Sequence, residues 1–135
     1  MNSLAVGTFE VTMNPQPPHD VNEAASIARV SLEKRFSGDL QATSTGEMIG
    51  ARSLLLKDSA GYVAIERVTG SLHGKNGSFV LQHSGTMRRG EAELSVTVVP
   101  DSGTGELQGI AGRMTIEITG GIHSYGFRYT FDDAP

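Results

Sequence analysis

The chain has 135 residues, of which 38% are hydrophobic and 19% are charged, a composition typical of a globular rather than a disordered protein. The absence of cysteine excludes disulfides, thiolate zinc sites and cysteine nucleophiles, and the net charge of -4 disfavours nucleic-acid binding. No apolar run reaches the ~20 residues of a membrane span, and the N-terminus lacks a signal-peptide pattern. We therefore expect a cytoplasmic protein, one domain over residues 1–135, without nucleic-acid or membrane partners.

Alternation of apolar and polar residues with a period of two predicts strands along most of the chain. The 17 glycines, about 13% of the residues against a usual ~7%, recur in turns between the alternating segments. In chain order, we predict eight strands, at residues 3–13, 28–36, 40–56, 62–73, 79–87, 92–100, 106–119 and 122–131. The proline-rich residues 14–27 cannot form a central strand. We predict a long loop there, in which Asp20 caps at most one helical turn.

Two-residue turns set the register between neighbouring strands, because their central residues need positive φ. The turn signals are Asn76-Gly77, Arg89-Gly90 and Gly120-Gly121. The cross-strand pairs that they predict include Leu72 with Leu81, Glu66 with Met87, His83 with Val96, and Ile118 with His123. In these registers one face of the sheet is apolar and the other polar, so we expect one buried face and one solvated face.

The apolar face of an eight-stranded sheet must be covered, and the sequence offers no helix to cover it. Consecutive short hairpins favour closure of the sheet on itself, which also removes the exposed edges. Glycines opposite large residues, at positions 70, 85 and 112, suit the sharp bends of a small barrel. We predict an all-β fold, an eight-stranded antiparallel up-and-down β-barrel.

Two sets of motifs carry a family resemblance. The glycine-rich stretch 103–112 and the strand that follows it resemble a motif of the allene oxide cyclase and dirigent barrels. The rest of the chain resembles a bacterial family of unknown function, domain of unknown function 3224, through Gly7–Val11, Phe36–Leu40, Gly61–Ala64, Gly74–Phe79 and His123–Tyr125. This resemblance implies an allene oxide cyclase-like barrel that forms homo-oligomers. It implies no activity, since the plant cyclase chemistry uses a thiol that this chain lacks.

Polar side chains on the apolar face are the candidate functional residues, because burying them without partners costs a few kcal/mol each. They are Lys34, Tyr62, Glu66, His83, His123, Tyr125 and Tyr129. The predicted registers place Tyr62, Glu66 and His123 at the end of the barrel away from Asn76-Gly77, with loop 14–27 as a lid. They place His83 roughly 13 Å from the level of Glu66, too far for a direct hydrogen bond.

Metal and phosphate sites are disfavoured. His73 falls on the opposite face from His83 and His123, and no pair of histidines has the spacing of a zinc motif. The glycine-rich stretch 103–112 is not followed by a helix or by the Lys-Ser/Thr of a phosphate loop. We predict no metal and no cofactor.

Three functions remain open. The first is a barrel that binds a compact, largely apolar small molecule with one polar head. Its predicted ligand contacts are Tyr62, Glu66, His83, Met114, His123, Tyr125 and Phe127. The second is an isomerase- or cyclase-type enzyme in which Glu66 or His123 moves a proton. The third is a packed barrel without a ligand site, whose polar groups bond one another and whose surfaces form an oligomer.

Overall fold

The structure, a computed structural model, describes residues 2–132. In chain order its strands are β1 (Ser3–Pro15), β2 (Asp20–Val21), β3 (Ala25–Gly38), β4 (Leu40–Ser53), β5 (Ala60–Leu72), β6 (Lys75–Arg88), β7 (Glu91–Val98), β8 (Ile110–Thr119) and β9 (Ile122–Phe131). A 3-10 helix, Gly105–Leu107, precedes β8. The described residues include no helix that is long and apolar enough to cross a membrane.

Eight of these strands close into the predicted antiparallel up-and-down barrel. From β3 to β9, each strand pairs with the next one along the chain, and β1 completes the circle by pairing with both β3 and β9. The short β2 pairs only with the first residues of β3 and adds nothing to the circle. The all-β prediction and the number of barrel strands are confirmed.

One half of the barrel interior is filled with apolar side chains. We call the end at which β5 passes into β6 the upper end. In the filled half, the rings of Phe79 and Phe127 stack with their centroids 5.5 Å apart, and Leu107 of the 3-10 helix is buried against the same core. Other fully buried side chains there are Leu40, Val68, Leu72, Leu81, Val96 and Ile110. Burial of each such side chain stabilises the fold by ~1.5–3 kcal/mol.

Two of the glycines that we expected at bends allow close approach on the inner face. A Cβ on Gly70 would overlap the backbone of Gln41 and Ala42 on β4, and its φ of +159° is one that other residues rarely adopt. Gly85 lies under the ring of Tyr62, where a Cβ would come within 2.5 Å of a ring carbon. The strands therefore meet closely at Gly70, and Tyr62 lies flat on the wall at Gly85.

The turn between β5 and β6 differs from the prediction. It forms at His73-Gly74, with φ of +47° and +81°, instead of at Asn76-Gly77. His73 is held there because its backbone N–H donates to the Asp39 carbonyl (3.0 Å) and its ring bonds the Tyr129 hydroxyl. Leu81 consequently pairs with Glu66 and not with Leu72, a shift of six residues. Because six is even, the predicted faces survive while the predicted heights are wrong.

The two other predicted turns are confirmed. Arg89-Gly90 and Gly120-Gly121 all have positive φ, between +50° and +91°. The β6–β7 and β8–β9 registers are those predicted, with His83 opposite Val96 and Ile118 opposite His123.

The predicted loop over residues 14–27 is largely extended, so the helical turn at Asp20 was wrong. β1 continues to Pro15, β3 begins at Ala25, and β2 pairs with β3 between them. The Asn22 side chain accepts hydrogen bonds from the backbone of Ala24 (2.8 Å) and Ala25 (2.9 Å), which forms a turn in place of the helix cap. Residues 14–27 therefore lie alongside β3, mostly in extended conformation, and extend the sheet there.

The wall is divided at one place. β7 and β8 pair only at Val96 with Met114 and at Thr97 with Arg113. Towards the lower end, residues 91–95 of β7 and 115–119 of β8 have no ladder between them in the described part of the chain. We call this unpaired stretch the seam.

Candidate functional site

A buried charged cluster lies on the inner wall about halfway along the barrel. Its four side chains come from adjacent strands: Lys34 on β3, Ser44 on β4, Glu66 on β5 and His83 on β6. Lys34 pairs directly with Ser44, and Glu66 pairs with Leu81, two residues from His83. Only 9% of Lys34, 0% of Glu66 and 5% of His83 is exposed. The registers of four neighbouring strands thus build the cluster.

Glu66 is the centre of the cluster. Its Oε1 accepts hydrogen bonds from Lys34 Nζ (2.9 Å) and His83 Nε2 (2.5 Å), and its Oε2 accepts one from the Ser44 hydroxyl (2.5 Å). Burial by itself would raise the pKa of Glu66, but the bond from His83, the charge of Lys34 and the bond from Ser44 together lower this pKa to about 2. Glu66 is therefore an ionised counter-ion at neutral pH, not a proton donor.

The expectation that Glu66 and His83 lie too far apart to bond was wrong. It followed from the turn at Asn76-Gly77, which placed Glu66 level with Met87. With the turn at His73-Gly74, Glu66 is opposite Leu81, and His83 is its diagonal neighbour on the same face. Sequence reasoning also missed Ser44, although its alternation with Ala42 and Leu40 on β4 indicates an inward position.

His123 approaches the cluster without joining it. Its ring centroid lies 5.1 Å from that of Phe9, and Lys34 Nζ lies 4.9 Å from the centroid of the same Phe9 ring. Phe9 thus contacts both residues. Within residues 2–132, His123 makes no hydrogen bond to Glu66. We predicted that Glu66 and His123 lie together at one end of the barrel. In the structure they are connected only through Phe9 and Lys34 within the described residues.

The two tyrosines that we singled out lie in different surroundings. The Tyr125 hydroxyl accepts a hydrogen bond from Leu40 N (2.9 Å) and donates to Ser37 O (2.9 Å), so it ties β9 to the β3–β4 turn. Tyr62 is half-buried below the cluster, and its hydroxyl makes no hydrogen bond within the described residues. Burial, followed by the negative charge of Glu66, raises the pKa of the Tyr62 phenol.

The lower end of the barrel is open. Four large apolar side chains lie there at inward positions of their strands but remain exposed: Met13 (54%), Met87 (40%), Leu94 (44%) and Ile118 (64%). Val11, Val30, Met48 and Ile116, nearer the cluster, are half-buried. The interior therefore changes from a filled upper half to an accessible apolar lower half, with the charged cluster at the boundary. We call this lower half the cup.

Two other predicted contacts lie in the filled half. Met114 and Phe127 are buried in the main core, packed between β7, β8 and β9. Their role as ligand contacts stays a prediction. The structure also brings no three His, Asp or Glu side chains together in residues 2–132 in a way that could hold a metal ion.

Comparison with known proteins identifies relatives whose functions are equally open. A family model described as protein of unknown function (DUF3224) matches residues 5–129. A crystal structure at 1.84 Å of a protein with unknown function from the DUF3224 family, from Shewanella oneidensis MR-1, is 42% identical in sequence. It superimposes with a TM-score of 0.93 over 98% of this chain and 100% of that one. No curated protein matches significantly. The chain belongs to the DUF3224 family.

Proposed function

We propose that this protein binds a compact, largely apolar small molecule with one polar head. The molecule would occupy the cup, with its head against Lys34 and its body against apolar side chains such as Met48 and Ile116. An eight-stranded barrel is wide enough to hold one small ligand. The proposal rests on the cup and the charged cluster, and the resemblance to allene oxide cyclase barrels stays a prediction.

The observation that carries the proposal is the position of the charged cluster. A salt bridge buried in an apolar interior is weak evidence for stability, because desolvation offsets its Coulombic attraction. Here Lys34 and Glu66 lie at the inner limit of an end whose apolar side chains stay accessible to water. Accessible apolar side chains grouped around one opening are typical of ligand sites. A polar floor beneath apolar walls fits a molecule of the proposed kind.

The test uses 2-naphthol, which is compact, apolar and carries one hydroxyl. We expect saturable binding by the wild-type protein, measured by titration calorimetry or by the fluorescence of 2-naphthol. Leu94→Glu places a carboxylate at the entrance of the cup and is expected to raise the Kd at least tenfold, because the ligand must then be buried beside a charge.

The chain offers a matched control for this substitution. Leu4 is exposed to the same extent as Leu94 (45% against 44%) but lies on β1 with its side chain on the outer wall. We expect Leu4→Glu to leave the Kd within twofold of the wild-type value. Equal binding by both variants would mean that 2-naphthol binds elsewhere, and absence of binding to the wild type would refute the proposal.

We also propose that the protein self-associates through its outer wall. Ile49, Val63 and Ile65 are exposed there in a groove of about 610 Å³, on strands whose outer faces are otherwise mainly polar. The exposed ion pair Arg29–Glu47 (3.1 Å) flanks this patch. In a two-fold arrangement, Arg29 of each copy can face Glu47 of the other, so the patch suits a second copy of the chain.

Sedimentation velocity tests the self-association. We expect the wild type to sediment as a dimer or larger species at micromolar concentration, and Val63→Glu to sediment as a monomer. Leu4→Glu serves again as the control and is expected to keep the wild-type sedimentation coefficient. A monomeric wild type, or an oligomer unchanged by Val63→Glu, contradicts this assignment.

A further inference from the structure

His83 has one ring nitrogen that the cluster does not use. Its Nε2 bonds Glu66, whereas its Nδ1 makes no hydrogen bond in residues 2–132. Among those residues, no fully buried side-chain nitrogen or oxygen lacks a partner, so Nδ1 is not completely buried. Since a carboxylate accepts the bond from Nε2, that atom carries the proton of the neutral ring. Nδ1 then presents a lone pair, which can accept a proton.

Two hydrogen-bond donors lie on the same inner wall as His83. The Lys34 ammonium has three N–H groups and uses one of them on Glu66, which leaves two. Tyr62 lies on the same inner face of β5, four residues below Glu66, and its hydroxyl has no protein partner in the described chain. The inner wall therefore carries a proton acceptor on β6 and two kinds of donor on β3 and β5, beside the accessible lower half of the barrel.

We propose that the cup is an active site in which His83 enolises a compact ketone, an activity that rests on the ligand site proposed above. His83 Nδ1 removes a proton from the carbon next to the carbonyl. The electron pair of that C–H bond forms the carbon–carbon double bond of the enolate, and the carbonyl π pair moves onto oxygen. Lys34 and Tyr62 donate hydrogen bonds to that oxygen. The imidazolium then returns a proton to carbon, so nothing is oxidised or reduced.

The charge of the cluster favours a neutral carbonyl compound over a carboxylic acid. The positive charge of Lys34 is already neutralised by the negative charge of Glu66, 2.9 Å away. The carboxylate of an acidic ligand would therefore enter the interior without a counter-ion. A ketone brings no net charge. Negative charge develops on its oxygen only during the reaction, beside the ammonium, where the low-dielectric surroundings strengthen the attraction. The site is thus better suited to the transition state than to an anionic ligand.

The experiment follows exchange of the α-hydrogens of 2-tetralone in D2O by NMR. We expect wild-type protein to accelerate this exchange above the buffer rate and His83→Gln to lower the protein-catalysed rate at least 100-fold, since a general base contributes ~10²–10⁴-fold. Glutamine can still donate to Glu66, so the Kd for 2-naphthol should stay within threefold. Tyr62→Phe removes only an unbonded hydroxyl and is expected to lower the rate about tenfold. His19→Gln, in the exposed segment beside β2, is the matched control and should match the wild type.

The outcomes separate the two proposals. Binding of 2-naphthol together with buffer-rate exchange of 2-tetralone overturns enolisation and leaves the ligand site intact. Exchange that survives both His83→Gln and Tyr62→Phe overturns the assignment of these residues. Failure of 2-naphthol to bind overturns the ligand site and the activity with it. A loss of exchange on His83→Gln with retained binding supports the inference.

Discussion

Replacing Lys34 by methionine is expected to lower the free energy of unfolding by about 3 to 5 kcal/mol. Methionine fills a similar volume beside Phe9 and Phe36 but removes the ammonium that lies 2.9 Å from Glu66. The Glu66 carboxylate would then be ionised and wholly buried without its cation, and this desolvated charge is the source of the large effect. Urea unfolding followed by far-ultraviolet circular dichroism measures it.

A double-mutant cycle separates the lost ion pair from lost packing. Glu66→Gln removes the charge that Lys34 neutralises, so the double variant Lys34→Met/Glu66→Gln should be more stable than Lys34→Met alone. Lys57→Met, in the exposed loop after β4, is the control and should change stability by less than about 0.5 kcal/mol. If the cycle gives no coupling, the ion pair is not what stabilises this part of the barrel.

Acidification is expected to remove about 3 kcal/mol of stability through Glu66 alone. Its pKa is about 2 in the folded protein and near the ordinary 4.5 in the unfolded chain. The unfolded chain therefore binds the proton first as the pH falls. The stability that Glu66 contributes is fully present above about pH 4.5 and disappears as the pH approaches 2. Each pKa unit between the folded and unfolded chains corresponds to about 1.4 kcal/mol of free energy of unfolding.

The measurement compares urea unfolding at pH 6 and at pH 2.5 for the wild type and for Glu66→Gln. Glutamine does not titrate, so the variant should lose less stability between these two pH values, by an amount close to the contribution of Glu66. Other carboxylates contribute equally to both proteins and cancel in the comparison. The same loss in both proteins would show that Glu66 has no depressed pKa.

The sequence was enough to predict which side chains point into the barrel, because an even error in strand register leaves each side chain on its own face. His83, Val96 and Met114 were assigned to the interior from their parity alone, and the structure buries all three. A hairpin shifted by an even number of residues keeps every side chain on its face. The barrel followed from this parity and from the lack of any helix to cover the apolar side.

Heights along the barrel were not predictable where two turn signals compete. Asn76-Gly77 has the better local chemistry for a type I′ turn, since histidine is uncommon at positive φ. The turn at His73-Gly74 is favoured by contacts from distant strands, in which Asp39 and Tyr129 hold His73. These contacts join residues far apart in sequence, and no local pattern reveals them. The error moved Glu66 away from His83 and hid the cluster.

The Lys34–Glu66 pair left a signal that could have been used. Lys34 lies in an alternating run of inward residues that is otherwise apolar from Ala28 to Phe36. Glu66 is an acidic residue at an inward position of its own strand. A buried lysine needs a carboxylate, so these two could have been matched by charge without any register. Ser44 gave a weaker signal, because its inward position follows from its alternation with Leu40 and Ala42 but a serine carries no charge that calls for a partner.

The seam between β7 and β8 has a mechanical consequence. Strand number and stagger fix the girth of a fully hydrogen-bonded barrel, so such a ring can widen only by breaking backbone bonds. Residues 91–95 and 115–119 have no such bonds between them to break. If the lower end of the barrel widens to bind ligands of different size, we therefore expect the strands to separate at the seam. The hydrogen-bonded strands and the charged cluster should keep their positions.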